Sequence, residues 1–137
     1  MVQRSWLLKS EPASYSWDDL ERDREALWDG VRNHRAANNL RAMREGDRAF
    51  FYHSGADRQI VGLAEIVAGD LADPKDAEGR WAAARIRPVR RLARPVSLAT
   101  IRADDRLADI ELVRLPRLSV VELAPAEWAA ICDIAAI

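Results

Sequence analysis

Within a short segment, Trp28-Asp29-Gly30-Val31-Arg32-Asn33, the sequence sets an aromatic ring, a glycine, an arginine and an amide side by side. These residue types suit a flat ligand. An indole stacks on a planar ring, a guanidinium meets phosphates or stacks on bases, and an amide can read a base edge. Glycine lets the backbone take a positive φ and approach a ligand closely. Asn33 is also a favoured helix N-cap, and Ala36, Leu40 and Met43 recur at i, i+4 and i+7, which predicts a helix over 34–43. The segment therefore reads as a loop feeding a helix N-terminus, where backbone N–H groups are free to bind. It is expected to wall a pocket for a nucleobase. The competing reading of Trp28 is an apolar anchor for its own loop.

Other reactive residue types offer less. His53-Ser54 holds a base and a hydroxyl, but neighbours in a strand point to opposite faces. There is no Gly-x-Ser-x-Gly elbow and no glycine-rich phosphate cradle. The single cysteine, Cys132, falls on the apolar stripe of a C-terminal helix and reads as an inert core thiol that excludes an internal disulfide. With one cysteine and two histidines, a zinc cluster is not expected. No cofactor and no metal are expected, and no catalytic residue is assigned.

The positioning elements follow from the apolar pattern. A length of 137 residues with 49% hydrophobic content suits one domain, residues 1–137, around one core. No apolar run is long enough for a transmembrane helix. Met1 to Leu8 does not read as a signal peptide, so a cytoplasmic protein is expected. Ser5 to Leu8 reads as a buried first strand, and Ser16-x-x-Asp19 as the cap of a short helix holding Trp17 and Leu20. Arg48 to His53 and Gln59 to Val67 read as a hairpin across Ser54-Gly55-Ala56-Asp57, with Gly62 marking a bulge or a close backbone approach. Residues 69–80 read as a flexible polar loop, and Trp81 to Leu92 as a strand punctuated by Pro88 and Pro95. Ser97 is expected to cap a short helical turn, Arg117 to Leu123 to form the last strand, and Pro125 to start a last helix with Trp128, Ile131, Cys132 and Ala135 inward. Strands in hairpins with scattered short helices give an α+β fold, a small bent sheet or barrel.

Net charge is −1, yet its distribution is uneven: residues 18–29 and 65–78 each sum to −4, 30–58 to +3 and 80–118 to +6. Nineteen arginines stand against two lysines. Such segregation can present a basic face to nucleic acid, or reflect compositional bias alone.

Several motifs together resemble the EVE domain: Trp6-Leu7-Leu8-Lys9-Ser10-Glu11-Pro12, Trp28 to Asn33, Gly46-Asp47 leading to Phe51-Tyr52-His53-Ser54, Val61-Gly62-Leu63-Ala64, and Pro116-Arg117-Leu118-Ser119-Val120. The resemblance implies a PUA-like fold, a bent β-sheet pseudo-barrel decorated with short helices. It also implies a non-catalytic reader of a modified base in DNA or RNA. Carried onto this chain, Trp28 would stack on the base. Lys9, Ser10 and Glu11 would lie at the rim, Gly30, Val31, Arg32 and Asn33 along the wall, His53 and Ser54 opposite, and Ser119 would add a hydroxyl. Arg35 and Arg41 would meet phosphates. Two positions depart from the family pattern: His34 stands where a tyrosine is common, and Ala37 where an arginine is common. The rival readings are a hydrolase acting on modified nucleosides, with Lys9 and Glu11 as its active pair, and an adaptor whose basic face binds an acidic protein.

Overall fold

A computed structural model describes residues 3–137. Met1 and Val2, the start of the segment read against a signal peptide, lie outside the described residues. The strands are β1 (Ser5–Ser10), β2 (Ala26–Trp28), β3 (Arg48–His53), β4 (Gln59–Ala72), β5 (Ala82–Ser97) and β6 (Val120–Leu123). The helices are α1 (Trp17–Asp23), α2 (His34–Ala42), α3 (Leu98–Ala103), α4 (Glu111–Arg114) and α5 (Pro125–Ala135), with one 3-10 turn at Asp105–Leu107. The six strands form one sheet in the order β2-β5-β4-β3-β1-β6, with β1 and β3 parallel and the other pairs antiparallel. The ladder does not close, since β2 and β6 remain its edges. This is the expected α+β pseudo-barrel, bent but open.

The core follows the apolar pattern. Trp6, Leu7 and Leu8 of β1 and Phe50 and Phe51 of β3 are fully buried, as are Ala36, Leu40 and Met43 on the inner face of α2. Ala37 is fully buried too. An arginine there would have to enter the core, so this departure from the family pattern concerns packing. Asp47 is a buried carboxylate that accepts from the backbone N–H groups of Arg4 and Arg44 and from the Trp6 indole, at 3.0–3.1 Å. It thereby ties the starts of β1 and β3 to the end of α2. A buried charge persists only when its acceptor capacity is used in this way.

Several boundaries differ from the expected ones. β2 is a three-residue strand whose last residue, Trp28, begins the segment expected to be loop. β4 runs on to Ala72, into the segment expected to be loop. β5 passes through Pro88 and Pro95 to Ser97. Its outer neighbour β2 pairs only with Ala84, Arg85 and Ile86, so both prolines lie where no strand awaits a donor on that side. β6 begins at Val120 rather than Arg117, which leaves residues 116–119 as a strap. The predicted caps are present: Ser16, Asn33 and Ser97 accept from Asp19, Ala36 and Thr100 N–H groups.

Gly62 explains both of its expected roles at once. The β4–β5 register shifts there, and a Cβ on Gly62 would lie 2.4 Å from the Trp17 ring. Trp17 is 1% exposed, so the ring has nowhere to move. Gly62→Ala is therefore expected to cost about 2 kcal/mol by overpacking, read as a lowered denaturation midpoint at unchanged m-value. An unchanged midpoint would mean that the ring is free to give way.

Candidate functional site

The bent sheet brings its two edges toward one place. A cavity of about 430 Å³ is lined by Lys9, Ser10 and Glu11 at the end of β1, by Ser14 and Tyr15 before α1, and by Ala26, Leu27 and Trp28 of β2. Asp29 and Val31 of the following loop, Lys75 of the β4–β5 loop and Ser119 before β6 complete it. β2 and β6 are opposite edges of the sheet, so only its curl lets Trp28 and Ser119 share a cavity.

The Trp28 indole is half-buried and meets the buried Phe51 ring edge-on, at 5.6 Å between centroids and 83°. Phe51 in turn meets Trp17 at 5.5 Å and 73°. The cavity wall is thus braced by rings of the core, in the edge-to-face geometry that aromatic quadrupoles favour. Leu27, Val31 and Ala26 make the rest of this side apolar.

The polar side is held by local bonds. The Lys9 ammonium donates to the Pro116 carbonyl at 3.0 Å, and the Lys9 N–H to Ser119 O at 2.9 Å. Burial pushes the Lys9 amine below its usual value, because the charged form loses water. Ser10 donates its hydroxyl to the Tyr15 carbonyl. The Tyr15 hydroxyl donates to Asp23; burial and that bond push the phenol up to about 12, so it stays neutral. Lys75 reaches Asp29 at 3.3 Å across the mouth.

Six of the expected ligand-contacting residues, Lys9, Ser10, Glu11, Trp28, Val31 and Ser119, line this cavity. The others are placed differently. The Gly30 N–H, at φ +75°, donates to Asp73 at 2.8 Å, and Arg32 pairs with the same carboxylate at 2.8 Å. Asn33 spends its side-chain oxygen as the α2 cap. His53 accepts the Trp17 N–H at 3.0 Å through Nε2 and faces Asp57 through Nδ1, which fixes the Nδ1–H tautomer and caps α1. The Ser54 N–H donates to Ser10 O, prolonging the β1–β3 ladder. Arg35 pairs with Glu111, and Arg41 bonds Asn38 and the Arg80 carbonyl. None of these residues lines this cavity.

Not legible in the sequence as lining were Ser14, Tyr15, Ala26, Leu27 and Lys75, nor Asp73 as the organiser. The Asp73 side chain has no solvent exposure. It accepts from Gly30 N–H, Lys75 N–H and Arg32. Burial pushes its carboxyl up, but Arg32 and the two N–H groups outweigh that and hold it below the ordinary value. Asp76 likewise accepts the N–H groups of Glu78, Arg80 and Trp81. The segment expected to be a flexible loop is thus pinned at both ends by carboxylates. Asp73-Pro74 carried a signal for it, as a turn-initiating pair.

The family model for the EVE domain matches residues 4–134. Mouse thymocyte nuclear protein 1 is 32% identical, over 90% of this chain and 70% of its own. Among solved structures, Rpa0253 from Rhodopseudomonas palustris has 42% identity and a TM-score of 0.92, covering 97% of this chain and 93% of its own. Human THYN1 protein, solved in complex with 5-methylcytosine-containing DNA, has 29% identity and a TM-score of 0.90, covering 97% and 98%. With a family model spanning nearly every residue and whole-chain relatives of the same fold, the chain belongs to the EVE domain family.

Proposed function

We propose that this protein is a non-catalytic reader that binds a modified nucleobase, carried in a nucleic-acid strand, in the cavity walled by Trp28. The observation that carries the reading is the half-buried Trp28 indole, braced by Phe51 and facing a cavity with an apolar side and a polar side. A volume of about 430 Å³ falls in the range of pockets that hold small planar ligands. Stacking on one aromatic is worth about 1–3 kcal/mol, which offsets much of the few kcal/mol needed to take a base out of a duplex. The complex of human THYN1 with 5-methylcytosine-containing DNA supports a methylated pyrimidine as the first base to test. Leu27 and Val31 offer a methyl group an apolar surface, and one methyl in such a site discriminates by about 1–3 kcal/mol.

Binding is favoured over catalysis by how the two candidate reactive groups are used. The Lys9 ammonium is tied to the Pro116 carbonyl, while the Glu11 carboxylate lies against Gly55. Each is committed to a different loop, whereas acid–base chemistry needs both within reach of one reacting bond.

Fluorescence anisotropy with DNA and RNA oligonucleotides, each with a single 5-methylcytosine or none, tests the reading. Trp28→Ala is expected to weaken binding of the modified strand by roughly ten- to a hundred-fold while circular dichroism stays that of the wild type. Equal affinity of wild type and variant, or of modified and unmodified strands, would overturn it.

The frame of the site has its own pH signature. A carboxyl held below its ordinary value stabilises the fold above that value and loses the contribution as pH falls through the lowered one. Asp73→Asn is therefore expected to be less stable than wild type at neutral pH, with the difference narrowing below about pH 4. Urea melts across pH check this; a gap that is constant with pH would mean that ionised Asp73 contributes nothing through its charge.

A further inference from the structure

A second cavity, of about 320 Å³, is lined by Asn33, Arg35, Arg114, Leu115, Pro116, Arg117 and Leu118. It adjoins the first. Val31 lines one cavity and Asn33 the other; Ser119 lines one and Pro116 the other. The wall between them consists of the loop 31–33 and the strap 116–119. Lys9 pins that strap at both ends, through its ammonium on Pro116 O and its N–H on Ser119 O.

The charge around this second cavity is unbalanced. Arg35 and Arg114 share one carboxylate, that of Glu111, and Arg114 sits at 3.7 Å from it. Arg117 is exposed and has no ion-pair partner among the described residues. Other arginines of the basic stretch are ion-paired, Arg85 with Glu25, Arg87 with Glu65, and Arg91 with Asp18 and Glu21; Arg90, Arg94 and Arg102 are exposed like Arg117, but none of them lines this cavity. Three guanidiniums over a floor of Leu115, Pro116 and Leu118 match a phosphodiester with its apolar sugar and base edge.

We propose that this second cavity is the subsite for the nucleotide flanking the bound base, with Arg117 and Arg114 contacting the phosphate that joins the two. The inference rests on the base-reading function above. Arg35 closes the far side and Asn33, its oxygen held by the α2 cap, turns the wall toward it. A base seated against Trp28 then leaves its strand across the strap, and the strand's next charge meets Arg117 and Arg114.

Two probes test this: a single-stranded DNA 9-mer with one central 5-methylcytosine, and the free nucleoside 5-methyl-2′-deoxycytidine. Arg117→Ala, at an exposed position, is expected to weaken the oligonucleotide on the order of three- to ten-fold at low salt. It should make the plot of log K against log salt shallower by about 0.7–1. Nucleoside affinity stays that of the wild type, and Arg117→Lys recovers part of the loss because the charge remains. Equal loss on both probes would make Arg117 a support of the first cavity, and no loss on either would leave the second unused; both overturn the subsite alone. Wild-type protein that binds neither probe overturns the base-reading function and this inference together.

Discussion

Gly62 lacks a side chain because Trp17 fills the space beside it, and the rest of the molecule is stacked on that contact. The ring lies 2.4 Å from where a Cβ would stand. Phe51, opposite Gly62 in the β3–β4 ladder, meets Trp17 edge-to-face, and Trp28 meets Phe51 in the same geometry. Any side chain at position 62 presses on the first ring and, through it, strains the last. The indole that walls the cavity is therefore an extension of the core, held before a ligand arrives. Pre-positioning of this kind reduces the ordering cost of binding.

A second tie acts through charge. Asp73 draws Gly30, Lys75 and Arg32 onto one buried carboxylate, so the loop after β2 and the loop after β4 are one unit beside the cavity. The chain's large-scale charge segregation serves the same end. The acidic segment around α1 folds onto the basic middle of β5, as Arg91 meets Asp18 and Glu21 and Arg85 meets Glu25. Exposed pairs of this kind each contribute little to stability. Their larger consequence is electrostatic: they cancel part of the basic stretch, and Arg117 beside the second cavity is among the exposed guanidiniums left without such a pair.

What the sequence made legible was what repeats locally. The i, i+4, i+7 pattern located α2, the capping residues located three helix starts, and an isolated glycine within a strand marked the close approach of Trp17. What escaped depends on distant partners. β2 is three residues long, too short for any periodicity, and exists because β5 lies beside it. Asp73 bonds a backbone group 43 residues away. His53 and Arg32 carried the right chemistry for a ligand, but the fold uses both internally: His53 caps α1 and Arg32 offsets Asp73. A residue type states what a side chain can bond; only the assembled fold decides which partner it meets.

The proposed function depends on a base stacking on Trp28 in the cavity of the bent sheet. The five tryptophans give it a direct reporter, since each indole N–H is a separate resonance. The wild-type protein is titrated with a DNA 9-mer carrying one 5-methylcytosine and followed by ¹H–¹⁵N correlation spectra. The Trp28 indole and the amides of Ser10, Val31 and Ser119 are expected to shift, while the Trp6 indole, bonded to buried Asp47, stays in place. Saturable shifts confined to another face, with the Trp28 indole unmoved, would contradict the stacking.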